Sequence, residues 1–192
     1  MDDITALIMD DHHAFRLGFA RLDDAQGAEE LAAIWQPLAL HLDIHAEAEE
    51  EIFYPQLLRR RPKIDPDAAR EGGEEKGGGD PEEESDDAIR DHNKIRDAVA
   101  EAGRHEVGSD EWWRAVWTAR TENSDHLAEE EDEVLPDFRR RTSMDLRYEL
   151  GAKWLRFYGE HPQGRELAFR DKDPRRYIAA NESAVEEVAP NQ

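Results

Sequence analysis

The chain of 192 residues contains no cysteine, which excludes disulfides, thiolate zinc, iron–sulfur clusters and a cysteine nucleophile. That absence fits a reducing compartment, and a cytoplasmic location is expected. No apolar run approaches the roughly 20 residues that cross a bilayer. The N-terminus, MDDITALIMDDHHAF, opens acidic and lacks the basic and apolar regions of a secretory signal. Positive charge is scarce as well: 25 Lys and Arg stand against 47 Asp and Glu, a formal net charge of −22. Such a balance repels nucleic-acid phosphates and anionic membrane surfaces, so neither is an expected partner. Period-two apolar alternation is missing, and no strand is predicted. An acidic chain attracts cations without specificity, so a metal site has to be argued from ligand spacing alone.

That spacing is present, and it is stated twice. Residues 11–16 read DHHAFR and residues 91–96 read DHNKIR; further on come HAEAEEEIFYP at 45–55 and HLAEEEDEVLP at 126–136. His12 and His92 are 80 residues apart, and the pairs His45/His126, Glu49/Glu130 and Pro55/Pro136 are each 81 apart. Each copy supplies one histidine and then a histidine followed four residues later by a glutamate, the donors of an N/O metal site.

The apolar pattern places these residues on helices. Ile8, His12, Phe15, Phe19 and Leu22 alternate steps of four and three and mark one face of a first helix. From about Glu29 to Arg60 the same rhythm runs through Leu31, Ile34, Leu38, His41, His45, Glu49 and Ile52, predicting one bent helix that contains Pro37 and Pro55. Residues 62–84, rich in Gly, Pro and acid, predict a flexible loop. A third helix is expected from near Ser85 to about Glu106, with Ala88, His92, Ile95 and Val99 on one face. Ser109 is placed to cap a fourth through Trp112, Val116, Ala119, Asn123, His126, Glu130 and Val134, and Thr142 or Ser143 a fifth through Trp154 and Phe157. A short helix after Pro174 completes the pattern. The expected fold is an all-α, antiparallel up-down-up-down four-helix bundle over residues 1–141, with a C-terminal helix and extension over 142–192.

Positions i and i+4 share a helix face at about 100° per residue, so His45 with Glu49 and His126 with Glu130 each converge on one point. Four histidines and two glutamates therefore occupy core-facing positions, where unpaired burial is expensive. A pair of first-row transition ions bridged by carboxylates satisfies all six together. The same donors would also take manganese or zinc.

These residues resemble the hemerythrin family, in particular its hemerythrin-like proteins with the HHE cation-binding domain, over about residues 5–140. The resemblance implies an antiparallel four-helix bundle around a non-haem centre of two iron ions with an oxo or hydroxo bridge. It further implies that His12 and His45 serve one iron, that His92 and His126 serve the other, and that Glu49 and Glu130 bridge. Oxygen-carrying members have a fifth histidine one turn along the third helix; here that position is Arg96, which cannot ligate. The chain is thus similar to a histidine-poorer branch, with open positions for dioxygen, hydrogen peroxide or nitric oxide. The resemblance points to a di-iron protein that binds such ligands, with catalase-like or peroxidase-like turnover as an added possibility. Iron storage, or iron and oxygen sensing without turnover, is the alternative.

Residues near the repeat carry their own expectations. His41, one turn before His45, is either a further metal ligand or a hydrogen-bonding partner of one. On a regular helix Tyr54 lies about 180° from His45 and is expected to pack or face solvent, unless a kink at Pro55 turns it inward. Glu50 and Glu131 belong to acidic runs expected in solvent, with acceptance of a ligand hydrogen bond as the other role open to them. Arg16 and Arg96 are expected to pair with acidic faces. Trp35, Trp112, Trp113, Trp117 and Trp154 are expected in the core and in docking the tail rather than on an electron path, and His13, His105 and His161 at the surface.

Overall fold

Short polar side chains at the helix starts take up free N–H groups and fix where several helices begin. The computed structural model describes residues 2–59 and 80–186. Asp3 accepts from the Thr5 N–H at 2.9 Å and opens α1, Ile4–Asp24, whose buried face is Ile4, Ile8, His12, Phe15, Phe19 and Leu22 with Thr5. α2, Gly27–Ala48, runs through Pro37 without interruption. Beyond it the expected single bent helix is corrected: the chain makes a π turn over Glu49–Phe53 and then α3, Tyr54–Leu58, with Pro55 in its first turn. Proline has no N–H to give to the turn before it, and a widened turn absorbs that loss.

α4 spans Pro81–Ala102, starting before Ser85 and ending before Glu106. Asp80 caps it, accepting from the Glu82 N–H at 3.0 Å, and Pro81 fits the first helical position. Residues 81–84, expected as loop, are therefore helical; most of the remainder of the expected flexible loop lies outside the described residues. α5, Asp110–Glu129, starts at Ser109 as expected and passes into a second π turn, Glu130–Val134, and α6, Leu135–Arg141. α7 is Met144–Glu160, capped by Ser143, and α8 is Pro174–Glu186. No strand occurs among the described residues.

Contacts between partners far apart in sequence give the directions. His12 meets His45 and Phe19 meets Trp35, so α1 and α2 are antiparallel. Arg96 reaches Glu47 while His92 reaches Glu50, which sets α4 against α2. His92 meets His126 and Lys94 meets Glu122 across α4 and α5; Asp23 meets Arg120 and His12 meets Glu131 across α1 and α5. The result is the all-α up-down-up-down bundle. Its interior has two apolar clusters, one around Phe15, Phe19, Trp35 and Trp112, the other around Ile8, Phe53, Phe138 and Trp154. The histidines and glutamates form a polar layer between them. Burial of each large apolar side chain contributes about 1.5–3 kcal/mol, so this layer sits where water is excluded on both sides.

α7 lies against α1. Arg147 Nε bonds Asp3 Oδ2 at 2.7 Å, and Gly151 packs so closely that a Cβ there would stand 1.9 Å from the Asp2 carbonyl oxygen. Trp154 is buried beneath this contact, in keeping with its expected docking role, whereas Trp117 is 49 % exposed and belongs to neither core nor tail.

Candidate metal centre

The two H-x-x-x-E segments close α2 and α5, and the histidines of α1 and α4 face them. His45 Nε2 lies 3.1 Å from Glu49 Oε1, and His92 Nε2 lies 3.2 Å from Glu49 Oε2. His12 Nε2 is 3.2 Å and His126 Nε2 is 3.6 Å from Glu130 Oε2. Two donor groups result. His12, His45, Glu49 and Glu130 offer atoms within 4.8 Å of one another, as do Glu49, His92 and His126, and all are buried. His12 and His45 fall in the first group, His92 and His126 in the second. Glu49 belongs to both groups, while Glu130 joins only the first.

These contacts lie within ion-pair distance, yet several of the inward atoms lack hydrogen-bond geometry. His12 Nε2, His45 Nε2, both Glu49 oxygens and Glu130 Oε2 are buried without a hydrogen-bond partner. Each such group costs about 1–3 kcal/mol, more when charged. The remaining pair, His92 Nε2 and His126 Nε2, face each other at 3.1 Å. Nitrogen and oxygen atoms converging in this way without bonding one another fit a metal cation, and the absence of sulfur selects ions that accept imidazole and carboxylate.

The outward nitrogens are held by carboxylates. His12 Nδ1 is 2.9 Å from Glu131 Oε1, to which Arg16 comes within 2.8 Å. His92 Nδ1 is 2.7 Å from Glu50 Oε1, to which Arg96 comes within 2.9 Å. Glu50 and Glu131 thus take the hydrogen-bonding role rather than the solvated one. Glu50 is buried outright. In both triads the glutamate comes from the other repeat, so each half of the centre is oriented by its partner, an arrangement that fixes ring orientation and raises ligand basicity. Arg16 and Arg96 pair with acids as expected, though Arg96 is buried rather than on a face.

His45 Nδ1 bonds Asp11 Oδ2 at 3.1 Å, and His41 Nε2 lies 3.1 Å from the other oxygen of the same carboxylate. His41 thus stays outside both donor groups and takes the role of a neighbour sharing the partner of His45. His12 and His13 are adjacent on α1, yet only His12 lies on the inward face: it is buried and His13 is exposed.

Tyr54 is the main correction. It is fully buried, and its hydroxyl donates to Glu130 Oε1 at 2.5 Å. A π turn takes about one more residue than an α turn, which cuts the 180° separation from His45 to roughly 80°. The signal in the sequence is the pair Pro55 and Pro136, six residues after Glu49 and Glu130. Asp11, Lys172, Tyr158 and Tyr177 also reach this layer, although none is among the site residues that the sequence pattern predicts. Asp11 has the visible signal of its recurrence as Asp91; the other three lie in the extension, outside the repeat. Tyr158 donates to Asp11 Oδ2 at 2.8 Å, Lys172 pairs with both Glu47 and Glu50, and Tyr177 donates to the Glu50 carbonyl at 2.5 Å.

The buried groups His45, His92, Glu49 and Glu50 shift one another's titration. Burial opposes charge on His45, but the neighbouring Glu49 charge and the bond to Asp11 outweigh it and push the imidazole up to about 10. His92 is likewise opposed by burial and raised by the Glu49 carboxylate beside it and by its bond to Glu50, to about 9. Burial would raise Glu49, yet the His45 charge and the imidazoles of His126 and His92 beside it hold it well below the usual carboxylate range. Glu50 resists burial through His92, Arg96 and Lys172 and falls to about 2. A cation entering here exchanges with imidazolium protons.

Residues 3–138 match the hemerythrin HHE cation binding domain, and the chain belongs to that family. No curated protein and no solved structure matches it. The matched span holds all six inward donors and ends before α7, so Trp154, Tyr158 and Lys172 lie outside it. No described helix is long and apolar enough to cross a membrane.

Proposed function

We propose that this hemerythrin-family chain is a non-haem di-iron protein that binds dioxygen, hydrogen peroxide or nitric oxide and turns over peroxide in a catalase-like reaction. The observation that carries the reading is one buried carboxylate, Glu49, common to two groups of nitrogen and oxygen donors, five of whose inward atoms lack hydrogen bonds. His12, His45 and Glu130 would hold one ion, His92 and His126 the other, and Glu49 both. Bound iron supplies two-electron redox chemistry toward small ligands. The chain does the rest: Glu131, Asp11 and Glu50 keep His12, His45 and His92 aimed inward, and the two apolar clusters exclude bulk water. Arg96, where a fifth histidine would stand, is turned to Glu47 and Glu50, which favours reaction or sensing over plain oxygen carriage.

The test is metal analysis and optical spectroscopy of the purified protein, followed by oxygen measurement after peroxide addition, with Glu49→Ala and His126→Ala as controls. Two irons per chain and oxygen release lost in both variants are expected. Metal-free protein of equal stability would sink the reading, and iron without oxygen release would reduce it to binding. A sensing role is the second reading, favoured by the contact of Lys172 and Tyr177 with Glu50, which itself holds His92. It requires that chelation change protease sensitivity of residues 143–192.

A further inference from the structure

The extension brings two oxidisable side chains to the metal layer. Trp154, 2 % exposed, sets its ring edge-on to the His45 imidazole with centroids 5.5 Å apart. Tyr158, one turn further along α7, has its ring 5.7 Å from Trp154. Its hydroxyl donates to Asp11 Oδ2, the same oxygen that bonds His45 Nδ1. The contacts close a loop from His45 through Trp154 and Tyr158 to Asp11 and back. Packing alone does not require a phenol here: phenylalanine would fill the same space, and only a hydroxyl serves the carboxylate.

We propose that Trp154 and Tyr158 form a one-electron relay between the metal centre and solvent, with Asp11 as the proton acceptor for Tyr158. This rests on the di-iron reading above and gives the same site a peroxidase-type branch. An oxidised phenol is a strong acid, so a tyrosine yields an electron readily only where a base accepts its proton. Asp11 stands at that distance, 2.8 Å from the hydroxyl. In one step Tyr158 loses an electron through Trp154 toward the oxidised centre, its O–H bond breaks and the proton passes to Asp11. A small soluble donor of the ascorbate or thiol class then returns one electron to the phenoxyl oxygen while Asp11 gives back its proton, and the donor's own proton enters the solvent, from which the two protons consumed in peroxide reduction are drawn. Two such passes reduce one hydrogen peroxide to two waters and leave two molecules of donor oxidised by one electron each.

The placement serves that exchange. Tyr158 keeps part of its surface in solvent, whereas Trp154 between it and His45 is closed to it. Of the other phenols at the layer, Tyr54 is fully buried and donates to Glu130, so a soluble reductant has no access to it, and Tyr177 donates to the Glu50 main-chain carbonyl, which is no base for its proton. The aromatic ladder Trp35, Trp112, Trp113 and Trp117 also reaches the surface, but Trp35 meets Phe19 and His12 meets Phe15, and phenylalanine rings are poor electron carriers.

The experiment is rapid-freeze paramagnetic resonance of the iron-loaded full chain after peroxide addition, with a nitroso spin trap and peptide mass mapping in parallel. A tyrosyl signal is expected, lost in the metal-free protein and in Tyr158→Phe and weakened in Trp154→Phe, with the trap adduct on the Tyr158 peptide of the wild-type chain. Ascorbate should quench the signal and be consumed at two equivalents of electrons per peroxide. Iron content and peroxide loss are recorded on the same samples, so failure to bind iron overturns the di-iron reading first. Iron-loaded wild-type protein that consumes peroxide without a tyrosyl signal overturns the relay. So does a signal unchanged in Tyr158→Phe, or an adduct mapped to Tyr54 instead. Because the adduct is mapped in unmutated protein, a variant that loses iron leaves the assignment still open to refutation.

Discussion

His12 and His92 are each held by a glutamate from the opposite repeat and an arginine beside it, but the two triads meet solvent differently. The Glu131 and Arg16 side chains are 21 % and 49 % exposed; those of Glu50 and Arg96 are 1 % and 4 %. Tyr54 widens the difference, because its counterpart in the second repeat is Leu135, which cannot bond Glu49 as Tyr54 bonds Glu130. Asp11 receives His41, His45 and Tyr158, whereas Asp91 pairs with Lys94. Duplication thus set equivalent donors and equivalent carboxylate partners on both sides. The asymmetry comes from one tyrosine and from the extension, whose Lys172 and Tyr177 cover Glu50 and whose Tyr158 engages Asp11.

The largest expected effect comes from removing what the halves share. Glu49→Ala should abolish binding of both ions in metal analysis, while His126→Ala should spare the four-donor group and retain one. Loss of both in His126→Ala would show that the halves load only together. Next comes the contrast between outer carboxylates. Glu50→Gln should weaken metal affinity by roughly 10–100-fold, the range for partners of ligating histidines, and Glu131→Gln by less because water can replace its bond. Competitive chelator titration of the two variants reads this directly, and equal losses would erase the distinction between covered and open halves.

Tyr54→Phe tests the internal asymmetry. It leaves Glu130 Oε1 without its donor and should destabilise the metal-free protein by about 1.5–3 kcal/mol in urea unfolding, the worth of a buried bond to a charged group. The smallest effect is at the helix starts. Ile4 of α1 is buried in apolar contact, but the residue in register on α4 is Glu84. Burial and the charges of Glu133, Glu129, Asp87 and Glu83 push Glu84 up to about 7. Its folded value lies above the ordinary 4.5, so the native state keeps a proton that the unfolded chain has released, and stability falls as pH rises between them. Glu84→Gln should therefore raise the melting temperature at pH 8 and leave it unchanged at pH 4, where both states are protonated.

Much of this centre was legible in one dimension because a helix converts spacing into direction. The offsets of 80 and 81 placed His12, His45, Glu49, His92, His126 and Glu130 on inward faces before any coordinate was known. The caps at Ser109 and Ser143 were legible for the same local reason. Tyr54 was misplaced because its direction was counted with α-helical steps across a segment that is a π turn, and the widening depends on how α3 must continue past Pro55. The start of α4 was set four residues late because residues 81–84 have no apolar periodicity, and the cap at Asp80 with Pro81 outweighs that. The buried state of Glu50 and Arg96 was hidden because each reads as one more charge in an acidic chain.

What the sequence determined by itself is the donor set, its twofold repetition and the helical bundle that carries it, since all three follow from residue type and local periodicity. Only the tertiary structure decided which carboxylate both halves share, which half is covered and which aromatic rings reach the metal layer. Those depend on the axial stagger of α1, α2, α4 and α5 and on where α7 and α8 dock. Docking is fixed by contacts such as Arg147 with Asp3, Gly151 against Asp2 and Lys172 with Glu50, which join residues more than a hundred positions apart. No local rule relates residues at that separation, so the surroundings of the repeated motif appeared only once the chain had folded.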